Sequence, residues 1–112
     1  MRVRKLPVYR AIEDDGSTKN HLAHGEIMQR EAPPLAIERV AEHIEHAMEL
    51  AGPQSVGIGS DFDGIERGPV GLEEATGYVR LAECLLARGM DPEHVAGVLG
   101  GNMQRAFSRC LP

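Results

Sequence analysis

The sequence predicts part of an α/β structure, mostly helical with one clear parallel-type strand at residues 56–60. Two observations carry this. A short β-prone apolar run, Val56-Gly57-Ile58-Gly59-Ser60, ends abruptly in the carboxylates Asp61 and Asp63, as a buried strand does when it delivers acidic side chains to a pocket. Around it lie several segments with three-and-four apolar spacing, each bounded by proline or glycine. A lone apolar strand needs neighbours to take up its backbone N–H and C=O groups, so this reads as a piece of a sheet structure.

Residues 1–32 form a segment of uncertain organisation. Arg2 to Tyr9 reads as a short strand interrupted at Pro7, Glu13 to Ser17 as a polar turn, and Lys19 to Glu31 as a helix with uneven apolar points at Leu22, Ile27 and Met28. Pro33-Pro34 marks a boundary, since the second proline suits a first helical turn and the first discourages helix before it. Ile37, Val40, Ala41, Ile44, Ala47, Met48 and Ala51 then line one helical face, with Glu38, Glu42, Glu45 and Glu49 opposite. Gly52-Pro53 stops this helix.

After the strand, Gly64 to Gly71 holds three glycines and one proline and reads as loop. Glu73 to Arg88 predicts a second helix, interrupted near Gly77, with Leu81, Leu85 and Leu86 on its apolar side and Gly89 closing it. Asp91-Pro92-Glu93 is a helix start with Asp as N-cap and Pro at the first helical position. Val95, Val98 and Leu99 supply the buried side of this short helix. Gly100-Gly101 ends it, Asn102 is placed to cap the next, and Met103, Ala106 and Phe107 give the last helix an apolar stripe.

Composition narrows the partners. The 112 residues are 42% hydrophobic and 26% charged, enough for one domain or a piece of one, and the absence of Trp leaves the core to aliphatic residues and Met. A net charge of -5 disfavours nucleic acid and anionic membrane. Cys84 and Cys110 do not make a disulfide framework, and Cys84 among leucines reads as a small buried hydrophobe. No signal-peptide apolar run and no membrane span is evident, which makes a cytoplasmic location the default expectation.

The chemistry-bearing residues centre on Asp61 and Asp63, at the carboxyl end of the strand, where parallel α/β folds hold their sites. An Asp-Gly turn with a capping role fits the same residues equally well. A calcium loop does not fit: with Asp61, Asp63 and Gly64 at loop positions 3, 5 and 6, Gly59 and Val70 fall where ligands are required. His21/His24 and His43/His46 are each three apart and could share a helix face. No third ligand lies nearby, so surface histidines are the preferred account.

The run Val56 to Gly64, followed by Gly71-Leu72-Glu73-Glu74, Leu85-Leu86-Ala87-Arg88-Gly89 and Leu99-Gly100-Gly101-Asn102-Met103-Gln104-Arg105-Ala106-Phe107, resembles the C-terminal end of the membrane (renal) dipeptidase family. His43-Ile44-Glu45-His46-Ala47 with Leu50-Ala51-Gly52 resembles the helix before that family's last strand. The resemblance covers about Leu35 to Phe107.

The resemblance implies the C-terminal part of a (β/α)₈ barrel zinc metallopeptidase, in which two zinc ions activate a bridging water that cleaves dipeptides. Asp61 matches the family's last-strand aspartate, which acts in proton transfer. Asp63 receives no role beyond shaping the loop. A complete barrel of this type takes about 250 residues, and the family's metal ligands belong to strands upstream of anything matched here. Residues 33–112 are thus expected to be a barrel segment, with zinc a cofactor of the intact enzyme and none held by this chain, which alone should not hydrolyse dipeptides. Substrate-binding residues are not assignable.

The alternative is a non-catalytic helical interaction module or subunit derived from that fold. A small metal-binding protein using the histidines ranks last. Exposed edges of Val56 to Gly59 favour oligomers or aggregation under either of the first two readings; a homo-oligomer or a missing N-terminal barrel segment is the expected protein partner.

Overall fold

A computed structural model describes residues 26, 27, 30, 32–65 and 67–112. The segment Arg2 to Tyr9, the polar turn and most of the helix expected from Lys19 lie outside the described residues; Glu26, Ile27 and Arg30 are helical. The chain divides into two compact units, Leu35–Phe62 with Gly68–Pro112, and Met1–Pro34 with Asp63–Arg67. In the second unit the Arg67 guanidinium donates to the carbonyls of Ala32 and Pro33 at 3.1 and 3.2 Å.

The first unit is helical. Helix α1, Ile37–Ala51, occupies the span its apolar spacing predicts, with Ala41 and Ile44 buried. Gly52 ends it in the left-handed region at φ 87, its N–H donating to the Met48 carbonyl, a conformation that a Cβ would disfavour. A 3₁₀ turn, Ala75–Gly77, leads into α2, Tyr78–Ala87. The interruption at Gly77 has a packing cause: a Cβ there would stand 2.2 Å from the Gly71 carbonyl oxygen. Helix α3, Pro92–Ala96, starts as the sequence specifies, with Asp91 accepting from the Glu93 N–H at 2.8 Å. It runs into a wide turn, Gly97–Gly101, where Gly100 leaves helical geometry, and then α4, Asn102–Cys110.

The core of this unit is Ala41, Ile44, Leu72, Leu81, Leu85, Val95 and Val98, drawn from α1, α2, α3, the wide turn and the loop before α2. Leu81, Leu85 and Val98 are sealed from solvent. Burying a side chain of this size contributes roughly 1.5–3 kcal/mol. Arg88 closes the outer edge of the α1–α2 contact with a two-pronged ion pair to Glu45, at 2.7 and 2.8 Å.

Four expectations change. Val56–Ser60 is not a strand: among the described residues, β pairing is confined to an isolated parallel bridge between Ala36 and Val70. An apolar run becomes a strand only when a neighbour takes its backbone groups, and no described residue offers this run a ladder. Leu99 is exposed instead of completing the Val95–Val98 face, because the Gly97–Gly101 turn rotates it away. Leu86 is likewise exposed, at 45%, while Leu81 and Leu85 take the buried side of α2. Asn102 is the first residue of α4 and caps nothing; its side chain is turned to another segment. The apolar stripe of α4 exists, yet Met103 and Phe107 are exposed.

Candidate functional site

The site is the connection that leaves α1, Pro53 to Phe62. Val56 and Ile58 are half-buried and pack against the helical core, so alternate side chains of the run still point inward. Gly57 between them passes close to α4, where an added Cβ would lie 3.3 Å from the terminal methyl of Met103.

Asp61 is exposed and adopts φ 54. Among the described residues it is the one non-glycine with positive φ. Aspartate tolerates this left-handed conformation better than most residues, and such positions cluster where a side chain must be aimed. Phe62 follows at once and sets its ring against Tyr78 of α2, with centroids 5.6 Å apart and the planes tilted by 47°. Asp61 therefore leaves the backbone between two anchored neighbours, half-buried Ile58 and ring-stacked Phe62. Asp63, also exposed, falls in the other compact unit.

Beside this run, Ile58, Tyr78, Val79, Ala82 and Leu99 line an open apolar groove of about 350 Å³. It offers hydrophobic contact and one phenol, with no acid, base or cation among its lining residues.

The other sequence candidates among the described residues do not join the site. His21 and His24 lie outside the described residues. His43 and His46 sit on the solvent side of α1, where His46 Nδ1 is 3.9 Å from Glu49. No group of three His, Cys, Asp or Glu side chains that could hold a metal occurs among the described residues. The two zinc ions implied by the resemblance thus find no fitting donor set among the described residues. Cys84 is partly buried and Cys110 exposed, and both are free thiols. Burial pushes the Cys84 thiol up, and the negative charges of Glu38 and Glu45 add to this, opposite to the activation a nucleophile needs.

Asn102, read from the sequence as a helix cap, and Arg105, which received no role of its own, make polar contacts that sequence reasoning missed. The Asn102 amide, 7% exposed, donates to the carbonyls of Pro53 and Val56, both at 2.8 Å. Arg105 donates to the Gln54 carbonyl at 2.6 Å and to Asn102 Oδ1 at 3.3 Å. One signal was available: Asn102 follows the buried Val95 and Val98 by seven and four residues, a core-facing register.

The sequence, in turn, is that of a peptidase family. A profile of the membrane dipeptidase family (peptidase family M19) matches residues 9–110, and the chain belongs to that family. Over 78 residues it is 41% identical to Dipeptidase aclJ of Aspergillus oryzae, covering 70% of this chain and 18% of that protein. Over 71 residues it is 42% identical to Dipeptidase 3 of Mus musculus and 41% identical to Dipeptidase 3 of Homo sapiens, covering 63% of this chain and 14% of each relative. The chain spans less than a fifth of the length of these curated relatives. No solved structure matches it. No helix among the described residues is long and apolar enough to cross a membrane.

Proposed function

We propose that this chain is the C-terminal segment of a dipeptidase barrel and that it contributes Asp61 to dipeptide hydrolysis. The observation that carries the reading is the family match over residues 9–110 in a chain that spans 14–18% of its relatives' length. Residues 33–112 are the barrel segment in this reading, and residues 1–32 precede it.

The exposed apolar residues support it. Val79 at 65%, Phe107 at 54%, Leu99 and Met103 stand on α2, the wide turn and α4 without cover from the described core. Surfaces of this kind are ordinary in a segment whose neighbouring strands and helices lie elsewhere in the fold.

Asp61 is assigned the proton work. A carboxylate on a bend outside the helical core can accept a proton from an attacking water and return it to the leaving amine. It can also hold the ammonium of a dipeptide by charge. No donor cage for the family's zinc occurs among the described residues, and this reading places the zinc ligands on elements of the intact enzyme. On this reading the chain by itself binds no stoichiometric zinc and hydrolyses no dipeptide.

Calorimetric zinc titration and a dipeptide hydrolysis assay on the purified chain test the second half of the claim. Grafting residues 35–107 into the matching stretch of Dipeptidase aclJ tests the first. An active chimera beside an inert isolated chain is the expected pair of results. Zinc-dependent hydrolysis by the isolated chain, or a folded but inactive chimera, would refute the reading.

A further inference from the structure

The Asn102–Arg105 cluster has no part in the chemistry assigned above, yet it is the most heavily bonded polar feature of the helical unit. Asn102 spends both amide protons on backbone carbonyls 46 and 49 residues earlier in the chain. Its side-chain oxygen receives the Arg105 guanidinium, which also reaches the intervening Gln54 carbonyl. Gly97 makes room for this, since a Cβ there would sit 2.8 Å from Asn102 Oδ1. Three carbonyl acceptors of the α1 exit, at Pro53, Gln54 and Val56, are thus taken by side chains of one helical turn.

We infer that Asn102 and Arg105 are positioning residues that fix the start of the Pro53–Phe62 segment and so set where Asp61 stands. Among the described residues the run has no ladder to hold its backbone. Side-chain donors take over that task at its beginning, Met103 lies against Gly57 in its middle, and the Phe62–Tyr78 ring contact holds its end. Asp61 stands between these fixed points in a backbone conformation that a free chain seldom adopts. A buried amide that donates twice is replaceable only by a group with the same donors, because a lost partner leaves two carbonyls unsatisfied.

The catalytic half of this inference rests on the proposed role of Asp61; the structural half does not. The test therefore has two arms. In the first, the full 112-residue chain is labelled for NMR. In the wild type, the amides of Gly57–Phe62 should show order parameters near the rigid value of ~0.85. Asp61 should show the strong intraresidue HN–Hα cross-peak of a positive φ.

Asn102→Asp removes the donors, and Arg105→Met removes the Gln54 contact with less burial at stake. Either should lower the order parameters of this run toward ~0.6 or below and weaken the Asp61 cross-peak, while the helical circular dichroism stays. Arg105→Lys, which keeps a donor, should restore both. Unchanged order and an unchanged cross-peak in Arg105→Met would overturn the clamp, even if Asn102→Asp proved too disruptive to fold.

In the second arm, Arg105→Met in the dipeptidase chimera should lower kcat by roughly 10–100-fold with little change in KM, the signature of a displaced reacting group. If the NMR changes appear while kcat is unmoved and Asp61→Asn is also silent, the proposed role of Asp61 fails and the clamp stands.

Discussion

Helix α1 and the Pro53–Phe62 segment that follows it show two ways of fixing an apolar stretch. In α1 the interior backbone groups find their partners four residues away, and the neighbours chiefly cover the Ala41–Ile44 stripe. In the segment after Gly52, the Pro53, Gln54 and Val56 carbonyls are taken by side chains instead. These are sent back from α4, 46 to 51 residues further on. One region is set by local sequence and insensitive to distant polar changes, whereas the other is set by a few distant donors.

Substitutions should separate the two. The largest effect on stability is expected in the helical core. Leu85 is fully buried between α2 and its neighbours, and Leu85→Ala should cost about 2–5 kcal/mol. Thermal unfolding followed at 222 nm would read this as a large drop in Tm. The order parameters of the Pro53–Phe62 run should change little at temperatures where the variant stays folded.

A smaller loss is expected at the start of α3. Asp91→Ala removes the acceptor for the Glu93 N–H and should cost about 1 kcal/mol, again measurable as a Tm shift. Asp91→Ser should recover most of it.

The smallest effect belongs to the Glu45–Arg88 pair, whose side chains are about one-third exposed. The guanidinium hydrogen bond, reinforced by its charge, holds the Glu45 carboxyl below its ordinary range. A carboxyl lowered in the folded state contributes stability above its unfolded pKa, near 4.3, and that contribution is lost as pH falls through the lowered folded value. Glu45→Gln should therefore reduce Tm slightly at pH 7, and the difference from wild type should vanish in acid and shrink at high salt.

Much of the helical unit was legible in the sequence because its signals are local. The three-and-four spacing of Ile37 to Ala51, the Gly52 stop, the break near Gly77 and the Asp91-Pro92-Glu93 start each act within one or two turns. The segment Val56–Ser60 misled for the opposite reason. Its alternating pattern does place Val56 and Ile58 inward, but whether such a run becomes a strand depends on partners far away in sequence.

The exposure of Leu99 was hidden by the wide Gly97–Gly101 turn, and the partners of Asn102 by their distance of 46 and 49 residues along the chain. The conformation of Asp61 could not be read from composition either, since an Asp-Gly-rich turn permits a left-handed residue at several positions. What the sequence did carry was the ordered set of motifs that places the chain in the membrane dipeptidase family.

The central claim is that this chain contributes one proton-handling carboxylate, Asp61, to a dipeptidase assembled with elements beyond it. Its most direct test is the kcat of the Dipeptidase aclJ chimera carrying residues 35–107, compared with the same chimera bearing Asp61→Asn. The account predicts a fall of about 10²–10⁴-fold, the range for removal of a positioned general base, with fold and zinc content unchanged. A variant that turns over dipeptide at the parent rate would contradict it.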